Sequence, residues 1–301
     1  MRAYPRYNTL RVWPYVPAAD WGARAWDSPA PAIVVDFLAT CARLGRWVEL
    51  TLLTDDDDTR IQPAIELVRV LTALRPPNVF LEAGNEPLTH KSIRVRDLKP
   101  VLDEAAAAGM PYSSGIYEDE LQVFGTYGTH HSGRTVDWPR RAHDAKEFFD
   151  GEGPEKKHPP LHMPWVLDEP IRPDEALAEI RRHGLSDQDA RAQLVRDFRA
   201  YGGAAALLAA GATFHCQSGK FAELPSADEA ACADALADGL EAFPADAPLG
   251  PYDRKVEPGQ PEDARTYVVG PYAVRCQQIG SAFRGDVGWK AIDRDGILWT
   301  R

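Results

Sequence analysis

Apolar positions recur along this chain in two alternating rhythms. Short runs rich in Val, Leu, Ile and aromatic residues read as strands at Thr9 to Val16, Trp47 to Thr54, Val79 to Ala83, Pro111 to Tyr117, Val123 to His130, Pro164 to Leu167 and Ala205 to Phe214. Between them, Ile33 to Leu44, Ile61 to Leu74, Val95 to Ala108, Pro139 to Phe149 and Ser186 to Tyr201 space their apolar residues near the helical period. A strand followed by a helix, repeated, is the sequence form of parallel βα units, because a parallel neighbour is regained only through a long crossover. Gly45 and Gly109 follow predicted helices as C-terminal breakers, and Ser186 with Asp189 predicts an N-cap.

After about Ala245 the rhythm changes. Pro and Gly punctuate residues 244–261, and short apolar runs follow at Thr266 to Val269, Ala273 to Ile279 and Ile297 to Thr300, with a turn signal at Asp293-Arg294-Asp295-Gly296. This predicts two regions: a (β/α) barrel over residues 1–245 and a small antiparallel β appendage over residues 246–301. Gly151 to Pro160, rich in charge and Pro, reads as an exposed loop.

Composition narrows the function classes. With 301 residues, 44% of them hydrophobic, the chain can bury a large core, and a net charge of -11 speaks against a nucleic-acid partner, which needs a concentrated basic face. No run reaches the roughly 18 apolar residues needed to span a bilayer, and Met1 is not followed by a signal-peptide core, so neither membrane nor export is written here. Cys41, Cys216, Cys232 and Cys276 form no CxxC pair and read as buried thiols. Asp55 to Asp58, leading into the helix at Thr59 to Leu74, suits the positive end of a helix dipole.

The chemistry concentrates in two words, Leu81-Glu82-Ala83-Gly84-Asn85-Glu86-Pro87 and Trp165-Val166-Leu167-Asp168-Glu169-Pro170. Each sets a carboxylate at the end of an apolar strand and directly ahead of Pro, which ends the ladder. The C-terminal ends of parallel strands are where a barrel carries its ligand site.

On these residues the chain resembles the clan A glycoside hydrolases, including the family 5 cellulases and mannanases, over residues 8 to 217. Asn85-Glu86-Pro87 is similar to the strand-four word that holds the family's acid/base glutamate, and Glu169 falls where its nucleophile ends strand seven. Asn8-Thr9-Leu10-Arg11-Val12-Trp13 resembles strand two. The resemblance implies a (β/α)8 TIM barrel, either incomplete at its N-terminus or completed from elsewhere, because strand one is not accounted for ahead of Thr9. It implies a retaining hydrolysis of a β-linked saccharide without cofactor or metal: Glu169 attacks, Glu86 donates a proton and then activates water, with the carboxyl groups about 5 to 5.5 Å apart. Arg11 would keep Glu169 ionised, and Asn85 would bind the sugar 2-hydroxyl. Tyr127, His130 and His131 are expected near the mouth. Trp13, Trp21, Trp26, Trp138 and Trp165 are candidates for stacking on sugar faces, Trp13 and Trp165 foremost.

Two positions depart from the family pattern. No Tyr follows two positions after the strand-six His in Gly128-Thr129-His130-His131-Ser132, and Phe214-His215-Cys216-Gln217 stands where the strand-eight Trp is usual, which leaves His215 as the residue offered to substrate. Two other classes therefore compete: a non-catalytic carbohydrate-binding or structural barrel in a larger assembly, and a zinc hydrolase built on His130, His131, His215 and Cys216.

Overall fold

A computed structural model describes residues 4–14, 30–53, 61–85, 95–115, 125–131, 145, 149, 163–168, 172–182, 184–209, 211–215, 225–242, 252–255, 264–269, 272–277, 288–293 and 296–299. Of the residues singled out above, Trp21, Trp26, Asp55 to Asp58, Glu86, Trp138, Gly151 to Pro160, Glu169 and Cys216 lie outside the described residues, as do the side chains of His131 and Cys276. The chain clusters into two compact units, residues 7–130 and residues 1–6 with 131–301. That division falls inside the region expected to form the barrel.

The first unit is built of βα repeats. It runs β1 (Thr9–Val12), α1 (Ala30–Arg43), β2 (Trp47–Leu53), α2 (Ile61–Leu74), β3 (Val79–Gly84), α3 (Val95–Ala108) and β4 (Tyr112–Ser113), with β5 (Gly128–His131) at its end. Strands β1 to β4 form a parallel sheet in sequence order, with Leu10 opposite Val48, Leu50 opposite Leu81, and Leu81 opposite Tyr112.

Helix α2 shows why these segments hold. Its buried residues Ala64, Ile65, Leu67, Val68 and Leu71 share one stripe, and Glu66 and Arg69 stay outside it. Leu67 and Leu71 are fully buried, so truncation of either to Ala would cost about 2–5 kcal/mol. Helices α1 and α3 end as the glycines predict: Gly45 and Gly109 take φ values of 65° and 66°. Arg46 N–H then bonds Cys41 O at 2.9 Å and Met110 N–H bonds Ala105 O at 3.3 Å, closing the carbonyls a helix end leaves open. At the foot of β3 the buried Asn78 amide donates to Arg46 O at 2.8 Å and Leu38 O at 3.2 Å, tying α1 and its exit turn to the sheet.

The second unit holds β6 (Trp165–Asp168), α4 (Pro173–Arg182), α5 (Asp187–Leu208), β7 (Gly211–Ala212) and α6 (Ala227–Leu240). Strands β6 and β7 pair in parallel, with Leu167 opposite Ala212. Ser186 caps α5 as expected, its Oγ accepting from Asp189 N–H at 3.2 Å. The strand expected at Ala205 to Phe214 shrinks to Gly211–Ala212, and Ala205 to Leu208 instead finish α5. Alanine and leucine have the strongest helix propensity, and a short apolar run does not distinguish strand from helix.

Helices α5 and α6 cross closely at two glycines: a Cβ on Gly202 would meet Leu236 O at 2.1 Å, and one on Gly239 would meet Arg199 O at 2.0 Å. The chain's first described residues lie on α6, where Tyr4 Oη donates to Glu229 at 2.7 Å and Arg6 binds Asp238 and Glu241. Cys41 and Cys232 are buried free thiols.

Beyond residue 250 the backbone forms β8 (Tyr252–Lys255), β9 (Ala264–Val269), β10 (Tyr272–Gln277), β11 (Gly288–Asp293) and β12 (Gly296–Trp299), an antiparallel sheet of order β12-β11-β10-β9-β8. Asp293 pairs with Gly296, the two ends of the word read from the sequence as a turn signal. Among the described residues no helix is long and apolar enough to cross a membrane.

Candidate active site

Strand alternation builds the first unit's polar face. In β2, Val48, Leu50 and Leu52 turn to one side, and Glu49 and Thr51 to the other. In β3, Val79, Leu81 and Ala83 alternate with Phe80 and Glu82. The register sets Arg11 beside Glu49, Thr51 beside Glu82 and Glu82 beside Ser113. Every one of these except Arg11 is buried below 4% exposure, so their charges and hydroxyls need partners within the protein.

Glu82 is the hub. Its Oε2 accepts from Arg11 Nε at 3.0 Å, from Arg11 Nη2 at 2.5 Å and from Thr51 Oγ1 at 2.7 Å. Arg11 Nη2 also donates to Asn85 Oδ1 at 2.9 Å, and the guanidinium carbon lies over the Trp13 ring, 4.8 Å from its centre. Arg11, expected beside Glu169, therefore has Glu82 and Asn85 among its partners.

Next to this group the Tyr127 hydroxyl lies 2.9 Å from both Glu49 Oε1 and Leu81 O, donating to the carboxylate. Burial first, then the charges of Glu49 and Glu82, push the Tyr127 phenol well above its ordinary pKa, so it acts as a permanent donor. Ser113 and Thr129 hydroxyls meet at 3.4 Å. Above them, Gly115 at φ 75° brings the chain so close to the end of β3 that a Cβ there would sit 1.7 Å from Gly84 O. Only glycine fits that position, beside Asn85.

Of the residues read from the sequence, the first unit thus gathers Arg11, Trp13, Asn85 and Tyr127. His130 is fully buried in β5, one residue from Thr129 and hence on the other face of the strand. Glu49, Thr51, Glu82, Ser113 and Thr129 are members of this polar cluster that the sequence reading did not single out. The signal for them was the two-residue alternation inside strands otherwise read as apolar.

In the second unit Asp168 ends β6, buried, and accepts from Thr213 Oγ1 at 2.6 Å. Arg172 Nε lies 3.4 Å from His215 Nε2 and Arg172 Nη1 lies 3.9 Å from Glu175. Trp165, named as a sugar-stacking candidate, is 5% exposed and stacks on Phe149 with ring centres 5.1 Å apart and planes within 14°. A ring so covered packs the core. Among the described residues no group of three or more His, Cys, Asp or Glu side chains is placed to hold a metal ion.

No family model matches the sequence, and no curated protein is significantly similar to it. Solved structures do match. A family 5 glycoside hydrolase from Bacteroides vulgatus aligns over 90% of this chain and 70% of its own, at 12% identity and a TM-score of 0.51. A GH5_18 protein from Bifidobacterium longum subsp. infantis aligns over 78% of this chain and 72% of its own, at 14% identity and a TM-score of 0.48. At such identities likeness speaks of fold alone, and together with the parallel βα repeats it gives this chain the TIM-barrel fold of the family 5 glycoside hydrolases.

Proposed function

We propose that this protein is a glycoside hydrolase that cleaves a β-linked saccharide with retention of configuration. The observation that carries the reading is the bond from Arg11 to Asn85 Oδ1, which fixes a polar side chain at the C-terminal end of β3, one residue before Glu86. In this fold the C-terminal strand ends carry the chemistry. Glu86 then serves as acid/base and Glu169, following the last residue of β6, as nucleophile.

The chemistry asked of them is a double displacement. Glu169 attacks the anomeric carbon while Glu86 protonates the departing oxygen, and Glu86 then takes a proton from the water that releases the glycosyl-enzyme ester. Asn85 binds the sugar beside the reacting centre.

The test is turnover of activated aryl β-glycosides by the wild type and by Glu86→Ala and Glu169→Ala. Loss of general acid–base assistance is expected to lower kcat by about 10²–10⁴-fold at Glu86, and loss of the nucleophile to remove turnover at Glu169. A 2-deoxy-2-fluoro glycoside should label Glu169, as read by mass spectrometry of peptides. Labelling at another residue, or full activity in either variant, would overturn the assignment.

A further inference from the structure

Asn85 offers a ligand either an amide oxygen or an amide nitrogen, and the buried pair behind it decides which. A guanidinium has five N–H donors and no acceptor, so Asn85 turns its oxygen to Arg11 Nη2, at 2.9 Å. The reverse flip would set donor against donor. Arg11 cannot swing away to allow it: Glu82 takes Nε and Nη2 along one edge, and the guanidinium carbon lies over the Trp13 ring. Glu82 is in turn anchored by Thr51 and is fully buried.

The register shows the direction of this relay. Arg11 lies level with Glu49 in the neighbouring strand, and Glu82 lies level with Thr51, two residues further along. The guanidinium therefore leans toward the C-terminal edge of the sheet, where its outer nitrogen reaches Asn85.

We propose that Glu82 is a positioning residue which, through Arg11, locks the Asn85 amide with its NH2 group presented to the ligand, so that the site selects a sugar carrying an acceptor oxygen there. This deepens the glycosidase reading and rests on it. The contact of Asn85 with the sugar 2-hydroxyl is what the family resemblance implies; the addition is Glu82, which sets the direction of that contact, and a deoxy sugar leaves the amide donor unmatched.

The experiment compares kcat/KM for a matched pair of aryl β-glycosides, the parent sugar and its 2-deoxy counterpart, across wild type, Glu82→Gln, Asn85→Ala and the double variant. The expected result is that the wild-type preference for the hydroxylated sugar falls by roughly 10- to 100-fold in Glu82→Gln, the scale of a misplaced positioning group. Glu82→Gln should also add nothing further once Asn85 is Ala. A preference unchanged in Glu82→Gln, whatever happens to its Tm, would leave Glu82 a structural ion pair and overturn the proposal.

Two further arms keep the outcome decisive. Glu82→Asp keeps the charge beside Arg11 but shortens its reach. If Glu82→Gln does not fold, loss of the preference in Glu82→Asp at undiminished Tm supports the lock, and a retained preference overturns it. If the wild type turns over no sugar in the panel, the glycosidase reading fails, and the lock is judged by 15N NMR alone. The Asn85 side-chain amide signals, identified by their loss in Asn85→Asp, should shift between wild type and Glu82→Gln, and identical signals would overturn it.

Discussion

Two carboxylates, one in each unit, are buried in opposite ways. Glu82 in the first unit sits against a guanidinium and a hydroxyl, so the cost of removing its charge from water is met by three directed donors on one oxygen. Asp197 on α5 in the second unit accepts from the Gln193 amide at 2.7 Å, and Gln193 accepts in turn from Arg196 at 2.6 Å. The nearest cation thus reaches Asp197 through a neutral relay. Burial wins, and the Asp197 carboxyl is pushed up to about 8, with the Gln193 bond and the Arg196 charge opposing the rise. What separates these two acids is the cation: Arg11 touches Glu82, whereas Arg196 reaches Asp197 only through Gln193. The first arrangement can fix a neighbour in place; the second creates a proton site.

Removing the cation from the first arrangement should have the largest effect on stability. Arg11→Met keeps most of the side-chain volume but leaves Glu82 facing Thr51 and an apolar chain. Breaking a buried pair from one side costs about 3–5 kcal/mol, a large part of a domain's stability. Urea unfolding should show the midpoint falling accordingly. A loss under 1 kcal/mol would mean that water reaches Glu82 and that the two carboxylates do not differ as described.

The second arrangement predicts a pH dependence of the opposite origin. Because the folded-state pKa of Asp197 lies near 8 and its unfolded value near 3.8, the folded protein binds a proton that the unfolded chain gives up between those values. Stability from this group is full below about pH 4, declines by up to about 1.4 kcal/mol per pH unit toward pH 8, and is flat beyond. Asp197→Asn keeps the amide partner and cannot ionise, so its unfolding free energy should lose that slope and exceed the wild type's at pH 8. Parallel slopes in the two proteins would place Asp197 in water.

These contrasts also show what was legible in the sequence. Helices α2 and α3 fall on the residues the apolar period predicts, because an amphipathic stripe belongs to the helix that carries it. Asn85 and Arg11 were legible through their short words. Glu82 was not, although it lies in the same word as Asn85: its meaning depends on an arginine 71 residues away, brought alongside by the parallel register. Helix α6 was missed for a related reason. Its sequence, ADEAACADALADGL, is mostly small residues, and its burial depends on the close approach of α5 at Gly202 and Gly239 rather than on a bulky stripe.

A second arginine–carboxylate cluster completes the comparison at its weak end. Arg6 donates in a fork to Glu241, at 3.2 Å from Nε and 2.7 Å from Nη2, and reaches Asp238 at 2.7 Å. In geometry it rivals Arg11. Its acids, however, are half or more exposed, so water competes for the same charges and salt screens them. Tyr4, two residues before Arg6, adds a partly buried bond to Glu229 that does not depend on Arg6. Arg6→Ala should therefore lower stability by no more than about 1 kcal/mol in low salt, with the difference shrinking at 1 M salt, where charges are screened within about 3 Å. Thermal melts of the two proteins at both salt concentrations test this. A penalty as large as that of Arg11→Met, or one indifferent to salt, would show that orientation of the fork, and not exclusion of water, sets the worth of an arginine–carboxylate pair in this protein.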